Sequence, residues 1–183
     1  LGTVQQQTSW MPEIDTTRHP ARTHVYLAVR WVNQQGQSTT KMCSGTLAIS
    51  GRTVLTAAHC FHEEELGTAV EMWVIPGLDG SYMPFGMQRV VAWAMHDYYF
   101  YDFDGEFDWA VLTLDRDIGK YVGFAGLVVG GNWIFYDVFG IGYPCGQSVL
   151  QACPEPWYTT GEIYWQGTYQ FKQQWGALPT PLH

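Results

Sequence analysis

The stretch Thr53-Val54-Leu55-Thr56-Ala57-Ala58-His59-Cys60 decides how the chain is read. Val54 and Leu55, flanked by Thr53 and Thr56, make a β-branched, apolar run that reads as a buried strand. The run ends in two alanines, small enough to let another element pack close, and His59 stands where the strand gives out. Cys43 lies upstream, across an expected hairpin. A cystine between Cys43 and Cys60 would close a short loop and fix the backbone at the histidine. Loop entropy puts its contribution at about 3 kcal/mol.

The composition around this stretch suits many short strands joined by tight turns. Nine Trp, eleven Tyr and nine Phe stand among 183 residues of which only 14% are charged. His24 to Val32 is a strong strand pattern, Asn33-Gln34-Gln35-Gly36-Gln37 is a turn, and Thr39 to Ile49 forms the next strand. Ser50-Gly51-Arg52 turns the chain into the histidine strand. Further strands are expected over Val70–Ile75 and Met87–Met95, with turn chemistry at Pro76-Gly77-Leu78-Asp79-Gly80. The net charge of −8 comes with no basic patch, which argues against a nucleic-acid partner. The stretch from Tyr121 to Pro144 is apolar, but glycines, Asn132 and Asp137 interrupt it. It reads as buried strands rather than a membrane-spanning helix, so no membrane partner is expected. Four cysteines fit two disulfides and an oxidising compartment. Leu1 follows no recognisable leader and reads as a processed end.

Two acidic tracts invite a metal reading and do not support it. Glu63-Glu64-Glu65 lacks the alternating oxygen ligands of a Ca²⁺ loop, and Asp102-Phe103-Asp104-Gly105-Glu106 has its glycine too early for an EF-hand. Neither a cofactor nor a metal is expected. The last acid of the second tract differs from the rest. Asp108-Trp109-Ala110-Val111-Leu112-Thr113-Leu114 puts a carboxylate on the threshold of a buried strand.

Leu55-Thr56-Ala57-Ala58-His59-Cys60, preceded by Cys43-Ser44-Gly45-Thr46-Leu47, resembles the histidine motif of chymotrypsin-fold serine peptidases. Asp108-Trp109-Ala110-Val111-Leu112 resembles the aspartate motif of the same family. His96-Asp97-Tyr98-Tyr99 is similar to its His-Pro-x-Tyr segment, with Asp97 where proline is usual. Gly142-Tyr143-Pro144 and the segment Thr160 to Phe171 resemble the second barrel of bacterial glutamyl endopeptidases. The resemblance implies an all-β fold of two antiparallel β-barrels, the second incomplete within these residues. Residues 1–20 would be an irregular lead-in and 21–116 the first barrel, carrying both motifs. Residues 117–183 would begin a second barrel that another segment completes. It implies a secreted endopeptidase acting on polypeptide substrates. His59 would be the general acid and base, with Asp108 as the carboxylate that orients it. Cys43 and Cys60 would be paired. Cys145 and Cys153 could bridge locally, or Cys145 could pair with a cysteine outside the chain.

The nucleophile motif Gly-x-Ser-Gly is absent. Gly146-Gln147-Ser148 comes nearest, but Val149 follows where glycine is needed, and Ser148 precedes the Gly161–Phe171 strand instead of following it. The expected partner is therefore a second polypeptide, or a further segment of the same precursor, that carries the serine. Beyond Tyr121 the sequence offers strands at Gly126–Val129, Trp133–Ile141 and Glu162–Phe171, too few to close a barrel alone. The competing reading is a non-catalytic homologue that binds partners.

Overall fold

Alternation of side chains builds the first unit. In β1 (His24–Val32), Val25, Leu27, Val29 and Trp31 are buried, while the residues between them are less so. That is the period-two pattern of a strand with one face on a core. The computed structural model describes residues 15–127, 135–143 and 157–163. It continues with β2 (Ser38–Leu47), β3 (Thr53–Thr56), and a small ribbon of β4 (His62–Glu63) with β5 (Gly67–Thr68). Then come β6 (Glu71–Pro76), β7 (Gln88–Met95), the short helix α1 (Asp97–Asp102), β8 (Ala110–Leu114) and the short helix α2 (Gly119–Val122). A separate antiparallel pair, β9 (Phe135–Gly142) and β10 (Trp157–Ile163), follows.

Six strands close a barrel in the order β1-β2-β3-β8-β7-β6, with every neighbouring pair antiparallel. Closure leaves no unpaired edge to template association. Leu27, Leu47, Val54, Val74, Leu112 and Leu114 fill the interior and are fully buried. The turn from β1 to β2 is held by Asn33, whose Oδ1 accepts from the backbone N–H of Gln35 and Gln37. Gly36 supplies the left-handed residue there, at φ +78°. Gly45 has a different reason to be glycine. A Cβ at this position would lie 2.9 Å from Val54 Cγ1 and 3.0 Å from the Leu55 carbonyl oxygen. The histidine strand packs onto β2 only because that side chain is missing.

Tyr143, at the end of β9, fastens the second sheet to this barrel. Its backbone N–H donates to Ser44 Oγ at 2.7 Å, its hydroxyl donates to the Leu78 carbonyl at 3.0 Å, and its ring meets Tyr26 edge-on. Burial pushes the Tyr143 hydroxyl far above the usual phenol range, so it stays a neutral donor.

The structure is mostly β, as the sequence implies, but differs from it in detail. The sequence reading runs β7 into an irregular acidic stretch. The structure instead forms α1, because His96 caps it, its Nδ1 accepting from Tyr98 N–H at 3.2 Å. Phe103 ends the helix in the left-handed region at φ +53°. The acidic run after His59 contains the β4–β5 ribbon. Of the strand expected at Gly126–Val129, the described residues show only a parallel bridge between Ala48 and Ala125 beside it. The two later strands lie at 135–142 and 157–163, and residues 164–171 of the expected last strand lie outside the described residues. Among the described residues, no helix is long and apolar enough to cross a membrane.

His24, the first residue of β1, couples this fold to pH. Burial, with some repulsion from His19, lowers its pKa to about 4. Between that value and the ordinary imidazole pKa of about 6.5, the unfolded chain binds the extra proton, so stability falls as pH drops. Urea unfolding should show this residue costing about 2 kcal/mol between pH 7 and pH 5. His24→Gln should flatten that part of the profile. An unchanged pH dependence in the variant would contradict the assignment.

Candidate active site

β3 delivers its last residues into one turn of 3₁₀ helix, Ala58–Cys60. Ala58 is fully buried and Cys60 nearly so, which leaves His59 as the residue that faces out, its side chain 58% exposed. Another 3₁₀ turn, Gly105–Phe107, is capped by Asp104, whose Oδ1 accepts from Glu106 N–H at 3.0 Å. This turn sets Asp108 at the entry to β8. Barrel closure pairs β3 with β8, Thr56 opposite Ala110, and so brings the two turns together.

The contact between them has two prongs. Asp108 Oδ1 accepts from the His59 backbone N–H at 2.9 Å, and Oδ2 lies 2.6 Å from the ring Nδ1. The Ala58 backbone N–H also favours the charged form of this carboxylate. The first N–H groups of a helical turn have no partner within the turn, and Asp108 satisfies that of His59 from the entry to β8. A carboxylate can only accept, so the ring proton sits on Nδ1 and Nε2 is left as the basic nitrogen. Partial burial raises the Asp108 pKa, but the bonds from the His59 ring and backbone outweigh it and hold the carboxyl below its usual range. The hydrogen bond to Asp108 raises the His59 pKa against the opposing effect of burial, with help from the charges of Asp108 and Glu63. Glu63 is itself ion-paired with Lys41 at 2.5 Å.

Cys43 and Cys60 form a disulfide that ties β2 to the histidine turn, with Cα atoms 5.8 Å apart. Among the described residues, Cys43, His59 and Cys60 are the group that could bring three metal-ligating atoms together. Two of those atoms are the sulfurs of the disulfide and offer no thiolate, so the donor set does not fit zinc. Asp102 and Asp104 take no place beside His59, and Asp104 serves as a cap. Cys145, Ser148 and Cys153 lie outside the described residues. Among the described residues, no hydroxyl hydrogen-bonds His59 Nε2, whose neighbour is Cys60 Sγ at 4.0 Å. The residue that sequence reasoning missed is His62. It reads as part of an acidic loop, yet it is buried, and nothing local in the sequence marks it. The arrangement is an oriented base, able to take a proton from a hydroxyl brought to Nε2 and to return it.

Comparisons with known proteins place the chain in a family and a fold. The family model described as Trypsin matches residues 17–149. A curated Bacillus subtilis protein named extracellular metalloprotease is 30% identical over 111 residues, covering 61% of this chain and 34% of that protein. The chain thus spans about a third of that relative's length. Among solved structures, a Glu endopeptidase superposes with a TM-score of 0.68 at 22% identity, covering 86% of this chain and 69% of its own. Protease Anisep from Arthrobacter nicotinovorans superposes with a TM-score of 0.64 at 17% identity, covering 80% and 66%. At such identities the structural likeness speaks to the fold.

The disulfide should carry measurable stability. Its cysteines are 17 residues apart in sequence, a loop whose cross-link contributes about 3 kcal/mol. Replacing Cys43 and Cys60 together by alanine should lower the urea midpoint accordingly. An unchanged midpoint would show that the chain around His59 needs no cross-link.

Proposed function

Because the chain belongs to the trypsin family, we propose that it supplies the histidine and aspartate of a secreted serine endopeptidase of the glutamyl-endopeptidase type. His59 Nε2 takes the proton of a serine hydroxyl as that oxygen attacks the peptide carbonyl. It then returns the proton to the leaving amine. Asp108 holds the imidazole in the tautomer that leaves Nε2 basic and stabilises the cation formed in the step. The serine and the backbone N–H groups that receive the oxyanion come from a Gly-x-Ser-Gly segment outside residues 1–183, in a further part of the precursor or in a second polypeptide. Water brought to the same base completes hydrolysis of the acyl intermediate. Substrates are polypeptides.

The observation that carries this reading is the two-pronged contact of Asp108 with His59, since one carboxylate fixes both the backbone and the ring of the base. Secretion draws support from the Cys43–Cys60 disulfide, a bond that persists in oxidising compartments. The extracellular designation of the Bacillus subtilis relative points the same way. The metal in that relative's name is not carried over, because the only three-ligand group among the described residues is spent on a disulfide.

Labelling with a serine-directed fluorophosphonate tests the proposal. The complete protein should react, with the label outside residues 1–183. His59→Ala should abolish labelling, because the hydroxyl loses its base. Asp108→Asn should slow turnover by about 10⁴-fold, the effect of a mis-set tautomer. Label on Ser148 would refute the placement of the nucleophile. No label at all in the complete, folded protein would favour a partner-binding homologue instead.

A further inference from the structure

His62 is a buried polar side chain that neither the barrel core nor the proposed chemistry explains. It lies three residues beyond His59, in β4, and is only 6% exposed. Both ring nitrogens are engaged. Nδ1 is 2.8 Å from Thr68 Oγ1 in β5, and Nε2 is 3.1 Å from the carbonyl oxygen of Phe100 in α1. A carbonyl oxygen only accepts, so the proton is on Nε2, and Nδ1 of the neutral ring accepts from the Thr68 hydroxyl. The ring also stacks on Phe100 at 4.7 Å and on Phe103 at 5.1 Å, with Tyr99 edge-on at 6.4 Å. Phe103 reaches this position from its left-handed backbone at the end of α1.

These contacts join two particular pieces of chain. Thr68 closes the ribbon that leaves the histidine turn. Phe100 and Phe103 belong to the segment that runs through Asp104 and the Gly105–Phe107 turn into Asp108. Resting on the peptidase reading above, we propose that His62 is a positioning residue for the His59–Asp108 pair, clipping the chain that leaves His59 to the helix that leads into Asp108. An apolar residue at this place would pack as well against three aromatic rings. A side chain with a donor for the Phe100 carbonyl and a second polar edge for the Thr68 hydroxyl bonds to α1 and to β5 at once. Among the described residues, α1 is otherwise held to the histidine side by ring packing, which tolerates sliding. The carboxylate would then lose its two-pronged fit, which needs hydrogen-bond distances at the backbone and the ring together. The charged or titratable groups facing His59 are Asp108 and Glu63, with the Tyr99 hydroxyl near both carboxylates. Glu63 is the chain neighbour of His62, so its charge has to be controlled.

The experiment uses the complete protein and two readouts: fluorophosphonate labelling against pH, and the titration of the His59 ring followed by NMR. His62→Phe keeps an aromatic ring for the stack and removes both hydrogen bonds. Its melt should remain cooperative. The His59 midpoint should fall toward the ordinary imidazole value, and the acid limb of the labelling profile should move the same way. At the plateau, labelling should slow by about ten- to a hundredfold, the cost of a misplacement of about 1 Å. His62→Gln, whose amide can still donate to Phe100, should recover part of the shift. Repeating the comparison in a Glu63→Gln background should leave the shift in place. An unchanged His59 titration in folded His62→Phe would overturn the proposal, as would a shift that disappears with Glu63→Gln. If His62→Phe does not fold, Thr68→Val, which removes only the partner of Nδ1, decides by the same titration: a lowered midpoint supports the clip and an unchanged one refutes it. If the parent protein takes no label, the peptidase reading fails, but the His59 titration needs no substrate and still decides on His62.

Discussion

Asp108 bonds at the same time to the backbone and to the ring of a residue 49 positions away, and that double contact sets the demands on the rest of the chain. One oxygen accepts from the His59 N–H in the turn at Ala58–Cys60, and the other fixes the imidazole. A carboxylate on a flexible loop would not meet both demands, because each tolerates only a few tenths of an ångström. The barrel supplies the rigidity. β3 and β8 are paired along their length, so the end of one and the start of the other share a register that cannot slip without turning every core side chain outward.

Small residues and one cross-link then bring the histidine turn to its place. Gly45 lets β3 lie against β2 with no Cβ between them, Ala58 is fully buried under the turn, and the Cys43–Cys60 disulfide fixes its far end. On the solvent side His59 stays largely exposed, with Nε2 free of any hydroxyl among the described residues. The pair is thus built within the first barrel. Asp108 is held ionised and His59 more basic than a free imidazole, each for the reason that the other is beside it.

Much of this was legible in the sequence because it is local or periodic. The alternation in His24–Val32 marks a half-buried strand. Thr53 to Cys60 marks a strand that ends on a histidine, and Asp108 stands apart from Asp102 and Asp104 because a buried strand follows it at once. What was not legible depends on contacts across the fold. α1 is too short for a helical period, and its cap is a histidine, not one of the usual capping residues. His62 sits in a run of glutamates, and its partners Thr68, Phe100 and Phe103 come from two other elements. Tyr143 shows the same limit. The motif Gly142-Tyr143-Pro144 could be recognised, but not that its tyrosine would bond to Ser44 and Leu78 of the first barrel.

The barrel holds the His59 ring on the Asp108 carboxylate through an Nδ1 proton. The low-field proton NMR spectrum of the protein reports on that hydrogen directly. A strongly shifted, slowly exchanging resonance from His59 Nδ1–H, present in the parent protein and missing from Asp108→Asn, is the predicted result. A spectrum without that resonance, or one in which Asp108→Asn leaves it unchanged, would contradict the account.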